Sequence, residues 1–374
     1  MRRTEFLLIF AFTLFAETIT IQPTKATKRE GQNVMDIYYD LKEGVFYDNV
    51  FLYFSTDMKN YRKAKGQSGD IGMLEPGKNR HIVWNMEVDF PTEWQGELDV
   101  VVKADVLEVI GINKEGYYEV KNQKDGSILI YIPPGEFTMG SNSGDSNEKP
   151  VHKVYLDGYF IGKYEVTVTQ FRKFVITTGY KTQAEVGGGA WILIDNSWKK
   201  RAYANWRNPY FDQTDDNPVV CVSWNDAVAY CRWAGLRLPT EAEWEKAARG
   251  TDGRKYPWGN HKPDAGGTYR INYFPGADGY KFTSPVGSFL PGASPYGCLD
   301  LAGNVWEWCS DRYREDYYSA SPKRNPKGPP SGSSRVFRGG SWNSNGNAEN
   351  VSSAHRSGNA SGYRFYHLGF RVAR

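Results

Sequence analysis

Four cysteines (Cys221, Cys231, Cys298, Cys309) and five histidines (His81, His152, His261, His355, His367) are the residues of this chain best suited to redox or soft-metal chemistry. Thiolates hold soft ions and exchange disulfides, and imidazoles hold zinc, copper or iron. Their spacing organises neither job. No two histidines form a helical i, i+4 pair, and no Cys/His spacing reads as a zinc site. Four cysteines permit two disulfides with three pairings, or they serve as small buried hydrophobes; the sequence leaves both readings open. A phosphate-cradling G-x-x-x-x-G-K-[ST] loop and a G-x-G-x-x-G turn are both missing.

The 374 residues are room for two domains. Aromatics make up 15% of the chain and there are 39 glycines, a mix that favours short strands and tight loops over long helices. Basic and acidic residues number 46 and 43, for a net charge of +3. Without a basic concentration, nucleic acid is not expected as a partner.

Arg2 and Arg3 precede the apolar run Phe6–Ala16, the length of a secretory h-region and too short to span a bilayer. Residues 1–16 are therefore expected to be a signal peptide, and the mature chain to be exported (periplasmic, cell-surface or secreted) with no membrane span. Residues 17–120 read as all-β: Val34–Tyr39, Val50–Phe54, Arg80–Trp84 and Leu98–Ala104 are β-branched and aromatic, as in a small sandwich of immunoglobulin or fibronectin type. A polar stretch, 113–126, leads to a second domain over 126–374. There, Thr167-x-x-Gln170, Ser223-x-x-Asp226 and Thr240-x-x-Glu243 each open a short helix, the last two stopping at Gly235 and Gly250. Loops dominate the rest, and metal ions, disulfides or buried tryptophans are candidates to pin them.

A set of blocks then stands out: Pro134-Gly-Glu-Phe-Thr-Met-Gly-Ser141, Tyr164-Glu-Val-Thr-Val-Thr169, Pro218–Ala227, Arg237-Leu-Pro-Thr-Glu-Ala-Glu-Trp-Glu245, Gly303-Asn-Val-Trp-Glu-Trp308, Arg335–Trp342 and Leu368-Gly-Phe-Arg371. In this order they resemble the formylglycine-generating-enzyme, or sulfatase-modifying factor, family. The resemblance implies an α+β fold of C-type-lectin-like topology, low in regular secondary structure, with bound calcium. In the oxidising members, copper held by two cysteines turns a sulfatase cysteine into formylglycine. Those cysteines fall on Ser344 and Glu349 here, just past Ser341. A hydroxyl and a carboxylate are hard donors, so cuprous copper and thiol exchange are not expected. Members using iron held by three histidines add a helical domain, whereas the extra domain here reads as β.

The resemblance also implies two calcium sites. Asp300 and Glu307 with the carbonyls of Gly303 and Val305 match one, and Asn272 and Asp278 with the carbonyls of Tyr273 and Tyr280 match the other; hard oxygens suit the ion. The alternative for Asp300 and Glu307 is a capped turn paired with arginines. After Trp342 the chain is rich in Asn, Ser and Gly, and resembles the variable segment of retroelement-diversified surface proteins. Trp342, Asn343, Asn345, Asn347 and Tyr363 are the candidate binding face for a protein or peptide ligand. The sequence thus points to an exported family member that binds or assembles; the alternatives are an oxidoreductase working without the cysteine pair and a structural accessory of an envelope complex.

Overall fold

The structure, a computed structural model, describes residues 18–374 apart from 31, 43–44, 70, 75–76, 91, 93–97 and 196. The proposed signal peptide lies outside the described residues. Two compact units divide the chain, one through Val109 and one over Ile110–Arg374.

In the first unit, Val34–Leu41 pairs antiparallel with both Lys25–Lys28 and Gly77–Asn85, and Val45–Ser55 pairs with the strand that begins at Asp99. Alternation along these strands sends Ile37, Tyr39, Leu52, Phe54, Ile82, Trp84 and Val102 into one core. Each expected strand is present and longer than its apolar run, because hydrogen-bonded pairing extends into the polar flanks.

The second unit starts earlier than the sequence suggested. Residues 113–126 are turn and strand rather than linker: Asn113 accepts from the Tyr117 amide and donates to the Tyr296 carbonyl, and Tyr118–Lys121 pairs with Ile128–Ile132. Ile128–Ile132 pairs in turn with Tyr159–Gly162. Two hairpins follow, Gly135–Met139 with His152–Leu156 and Ala190–Ile194 with Ser197–Arg201. A last sheet sets Arg356–Ala360, Ser334–Arg338 and Trp306–Arg312 antiparallel, with Leu368–Gly369 added in parallel.

Among the described residues, four α-helices cross this unit: α1 (Val168–Thr178), α2 (Gln183–Val186), α3 (Trp224–Ala234) and α4 (Glu241–Arg249). Each begins with a reciprocal capping box, on Thr167/Gln170, Thr182/Glu185, Ser223/Asp226 and Thr240/Glu243, satisfying two otherwise orphaned amides. The box at Thr182 went unread because the turn it starts lasts only four residues.

Buried ion pairs and tryptophans, not disulfides, pin the loops. All four cysteines are buried and unpaired. Glu241 and Glu245 of α4 hold Arg338, Glu241 also holds Arg356, and Glu307 holds Arg371. These arginines come from the last forty residues, so α4 and the strand Trp306–Arg312 anchor the tail at three points. Trp206, Trp244 and Trp308 are fully buried, Trp206 edge-on to Phe171.

Candidate functional site

The anchored tail runs on as Tyr363-Arg-Phe-Tyr-His367, and its side chains alternate. Arg364 and Tyr366 point inward and are buried; Arg364 donates to the carbonyls of Gly187 and Gly189. Tyr363, Phe365 and His367 therefore share the other side. They line a cavity of about 300 Å³ whose remaining walls include Trp191 and Trp198 of the 190–201 hairpin, with Trp306 and Phe337 of the last sheet. Two backbone hydrogen bonds fix this geometry, from the Trp191 amide to the Arg364 carbonyl and from the Tyr366 amide to the Trp191 carbonyl. The Trp191 and Tyr363 rings are parallel within 8° at 6.2 Å, and Trp198 stands edge-on to Phe365 at 5.1 Å. Burial holds the His367 imidazole neutral, its pKa lowered to about 3, and its Nδ1 has no partner. An apolar slot with a few polar atoms at its rim suits a side chain of a ligand.

The expected binding face divides. Tyr363 is exposed and lines the cavity, and Asn345 and Asn347 are exposed outside it. Asn343 is half-buried, its amide bonded to Ser341 Oγ, and Asn347 caps the Glu349 amide. Trp342 is not on a surface: only 3% exposed, it packs edge-on against Phe282 and Tyr366 as part of the core. Its place in an Asn/Ser-rich segment hid a core residue. The sequence missed Trp191, Trp198, Trp306, Phe337, Phe365 and His367; the two-residue alternation from 363 to 367 was the available signal.

Ser344 and Glu349, where the resemblance puts the thiols, are not among the residues lining the cavity. Ser344 is buried, and its Oγ accepts from the Ser341 amide at 3.3 Å. Glu349 makes a surface pair with Lys255 at 2.6 Å. The cysteines do not substitute. Burial pushes the thiol of Cys298 up to about 11 and raises those of Cys221, Cys231 and Cys309, so none is a ready thiolate.

The residues at the two candidate calcium positions differ in how they are occupied. Asn272 Oδ1 is buried without a partner, while its Nδ2 donates to the Phe282 carbonyl at 2.7 Å. Asp278 accepts from the amides of Tyr273, Phe274 and Tyr280, which aligns its carboxylate. Asn272 Oδ1 is thus a free hard oxygen of the kind calcium takes, while the Tyr273 and Tyr280 carbonyls accept from the Gly346 and Gly276 amides. At the other position, both oxygens of Glu307 are taken by Arg371, as in the arginine alternative. Asp300 is buried, accepts from the Gly287 amide, and is raised to about 6 by burial. Its loop turns through left-handed backbone at Asp300, Gly303 and Asn304, and a Cβ on Gly303 would meet the Asn272 carbonyl oxygen at 2.3 Å. Burial raises Glu165 well above the carboxylate range, with Asp300 and Glu307 adding to the rise. Three buried carboxyl groups share one guanidinium there, and the raised Glu165 relieves their repulsion by keeping its proton. Glu165 lay in the Tyr164–Thr169 block without an assigned role.

The sulfatase-modifying factor enzyme 1-like domain family matches residues 116–374. The chain belongs to this family. It is 40% identical over 247 residues to the formylglycine-generating enzyme of Bos taurus, covering 57% of this chain and 65% of that protein. The chain therefore spans just under two thirds of the bovine enzyme's length. It is also 40% identical over 281 residues to the formylglycine-generating enzyme of Streptomyces coelicolor, covering 65% of this chain and 88% of that one. A relative named inactive C-alpha-formylglycine-generating enzyme 2, from Bos taurus, is 35% identical over 300 residues, 72% of this chain and 94% of its own. Among solved structures, PvdO from Pseudomonas aeruginosa superposes with a TM-score of 0.57 at 30% identity, over 68% of this chain and 97% of its own. The α+β, sheet-rich fold with few helices is that of the sulfatase-modifying factor family. No described helix is long and apolar enough to cross a membrane.

Proposed function

We propose that this sulfatase-modifying factor family member binds instead of oxidising: it takes an apolar or aromatic side chain of a protein or peptide ligand into the tail cavity, with calcium bracing the loops beneath. The observation that carries this reading is the aromatic cavity walled by Trp191, Trp306 and Phe365, in a chain with Ser344 and Glu349 at the thiol positions. A relative named inactive at 35% identity is in keeping with it. The oxidation of a sulfatase cysteine is then not expected, with or without copper. The chain is further proposed to be exported after cleavage at Ala16 and to act at the envelope, with the first unit as an immunoglobulin-like spacer.

Peptides selected by display on the purified chain test the binding reading. Trp306→Ala and Tyr363→Ala should each weaken the best peptide by about 2 kcal/mol, the scale of an aromatic anchor. Affinity unchanged in both variants moves the site elsewhere. Incubating the chain and copper with a sulfatase-motif peptide, followed by mass spectrometry, tests the second half; aldehyde formed well above a no-protein control overturns it.

A further inference from the structure

Loop 145–148 and the start of the strand Arg356–Ala360 are tied together. Arg356 Nη1 donates to the Asn147 carbonyl at 3.1 Å, and Asn147 Nδ2 donates to Tyr313 Oη at 2.9 Å and to the Arg356 carbonyl at 3.3 Å. This brings three side chains to one point: Asp145, Glu148 and His355 place their ligand atoms within 4.8 Å of one another. Glu148 is 2% exposed, and its Oε2 has no hydrogen-bond partner. The chain leaves room for that carboxylate only because residue 144 is glycine, whose Cβ would lie 1.8 Å from Oε2.

The distances are within ion-pair range but too long for a charge-assisted hydrogen bond. His355 Nδ1 lies 3.5 Å from Glu148 Oε1 and 3.6 Å from Asp145 Oδ2. Charge-assisted N–H···O bonds close to about 2.7–2.9 Å. Ligand bonds of about 2.0–2.2 Å around a four-coordinate ion, in contrast, leave neighbouring ligand atoms about 3.3–3.6 Å apart. A buried carboxylate oxygen left unpaired costs free energy unless a cation meets it.

We propose that His355 Nδ1, Glu148 and Asp145 form a site for a divalent transition ion, zinc being the fitting case. One imidazole with two carboxylates is a borderline donor set that zinc accepts readily and calcium, which prefers oxygens alone, does not. Three protein ligands leave a fourth position for water. Asp145, the exposed ligand, makes that side open to solvent. The His355 ring also packs at 5.5 Å against Trp306, which orients it.

The test uses the full chain stripped with chelator and titrated with Co²⁺ in excess calcium, so that oxygen-only sites stay filled. One equivalent should produce visible d–d absorption and be displaced by Zn²⁺. His355→Ala should abolish the band. Asp145→Asn, on an exposed side chain that folding does not need, should weaken binding by at least the about 10–100-fold that lesser losses around metal sites cause. Circular dichroism confirms that both variants fold. An absent band in the wild type, or an unchanged band in either variant, overturns the assignment.

Discussion

Arg371 donates to both oxygens of Glu307 at 2.6 Å, and Trp244 Nε1 donates to one of the same oxygens at 2.7 Å. All three side chains are fully buried, so the C-terminal Leu368-Gly-Phe-Arg371 block is locked to the strand Trp306–Arg312 by charge inside the core. Removing one partner of such a pair strands the other, at a cost of about 3–5 kcal/mol. Arg371→Lys keeps the charge but loses the fork that serves two oxygens at once. Urea denaturation should show Arg371→Lys destabilised by about 2 kcal/mol or more and Glu307→Gln by more still. A loss below about 0.5 kcal/mol in both would mean that the pair is replaceable.

Calcium should stabilise the second unit through the Asn272 position. An ion bound only by the folded chain adds about 2.7 kcal/mol at a hundredfold excess over Kd. For a unit of this size, that raises Tm by roughly 5–10 °C. Chelator should remove the gain, and Asp278→Asn or Asn272→Ala should make the chain indifferent to chelator. A wild-type melting curve unmoved by chelator refutes the site. Glu307→Gln is unsuitable for this test, because it also breaks the Arg371 pair.

Asp311 sets a pH dependence. Burial and the neighbouring Glu241 push it up to about 7, while the Glu241 amide, which it accepts at 2.9 Å, pulls the other way. The folded chain thus holds a proton there that the unfolded chain, with a carboxyl near its ordinary value, has released. Stability from this group is full below about pH 4 and is lost as pH rises toward 7, by an amount on the order of 2–4 kcal/mol. Asp311→Asn keeps an acceptor for the amide and has no charge to bury. Its urea midpoint, relative to wild type, should rise steadily between pH 4 and 7; a constant difference across that window sinks the claim.

Thiol titration should find almost no reactive cysteine in the native chain and four after denaturation, without reductant. The cause is burial of all four as unpaired thiols. Recovery of only two or none after denaturation would show that disulfides form.

Local signals were legible in the sequence. A Thr or Ser followed three residues later by Gln, Asp or Glu is a complete instruction for a helix start, and α1, α3 and α4 obey it. Strand runs were equally plain, since alternation needs only neighbours. The cavity was not legible, because Trp191, Trp306 and Phe365 meet only after three separate elements fold. Trp342 shows the limit from the other side: its neighbours in sequence are polar, its neighbours in space are Phe211, Phe282 and Tyr366. Nor could spacing reveal that Glu307 would meet Arg371, or that Glu165 would join it.

The arginine anchors at 338, 356 and 371 divide the tail into two spans, each fixed at both ends. A span held in this way carries little of the fold's stability between its ends, apart from inward residues such as Trp342, Val351 and Tyr366. The outward positions Asn345, Asn347 and Tyr363 accept mutation at lower cost than the anchors, the costs being the left-handed backbone at Asn345 and the cap that Asn347 gives the Glu349 amide. A library randomised at those three positions should retain a high fraction of folded members, and one randomised at the anchors almost none. The surface alphabet of the tail can thus change while its grammar of buried charge stays intact.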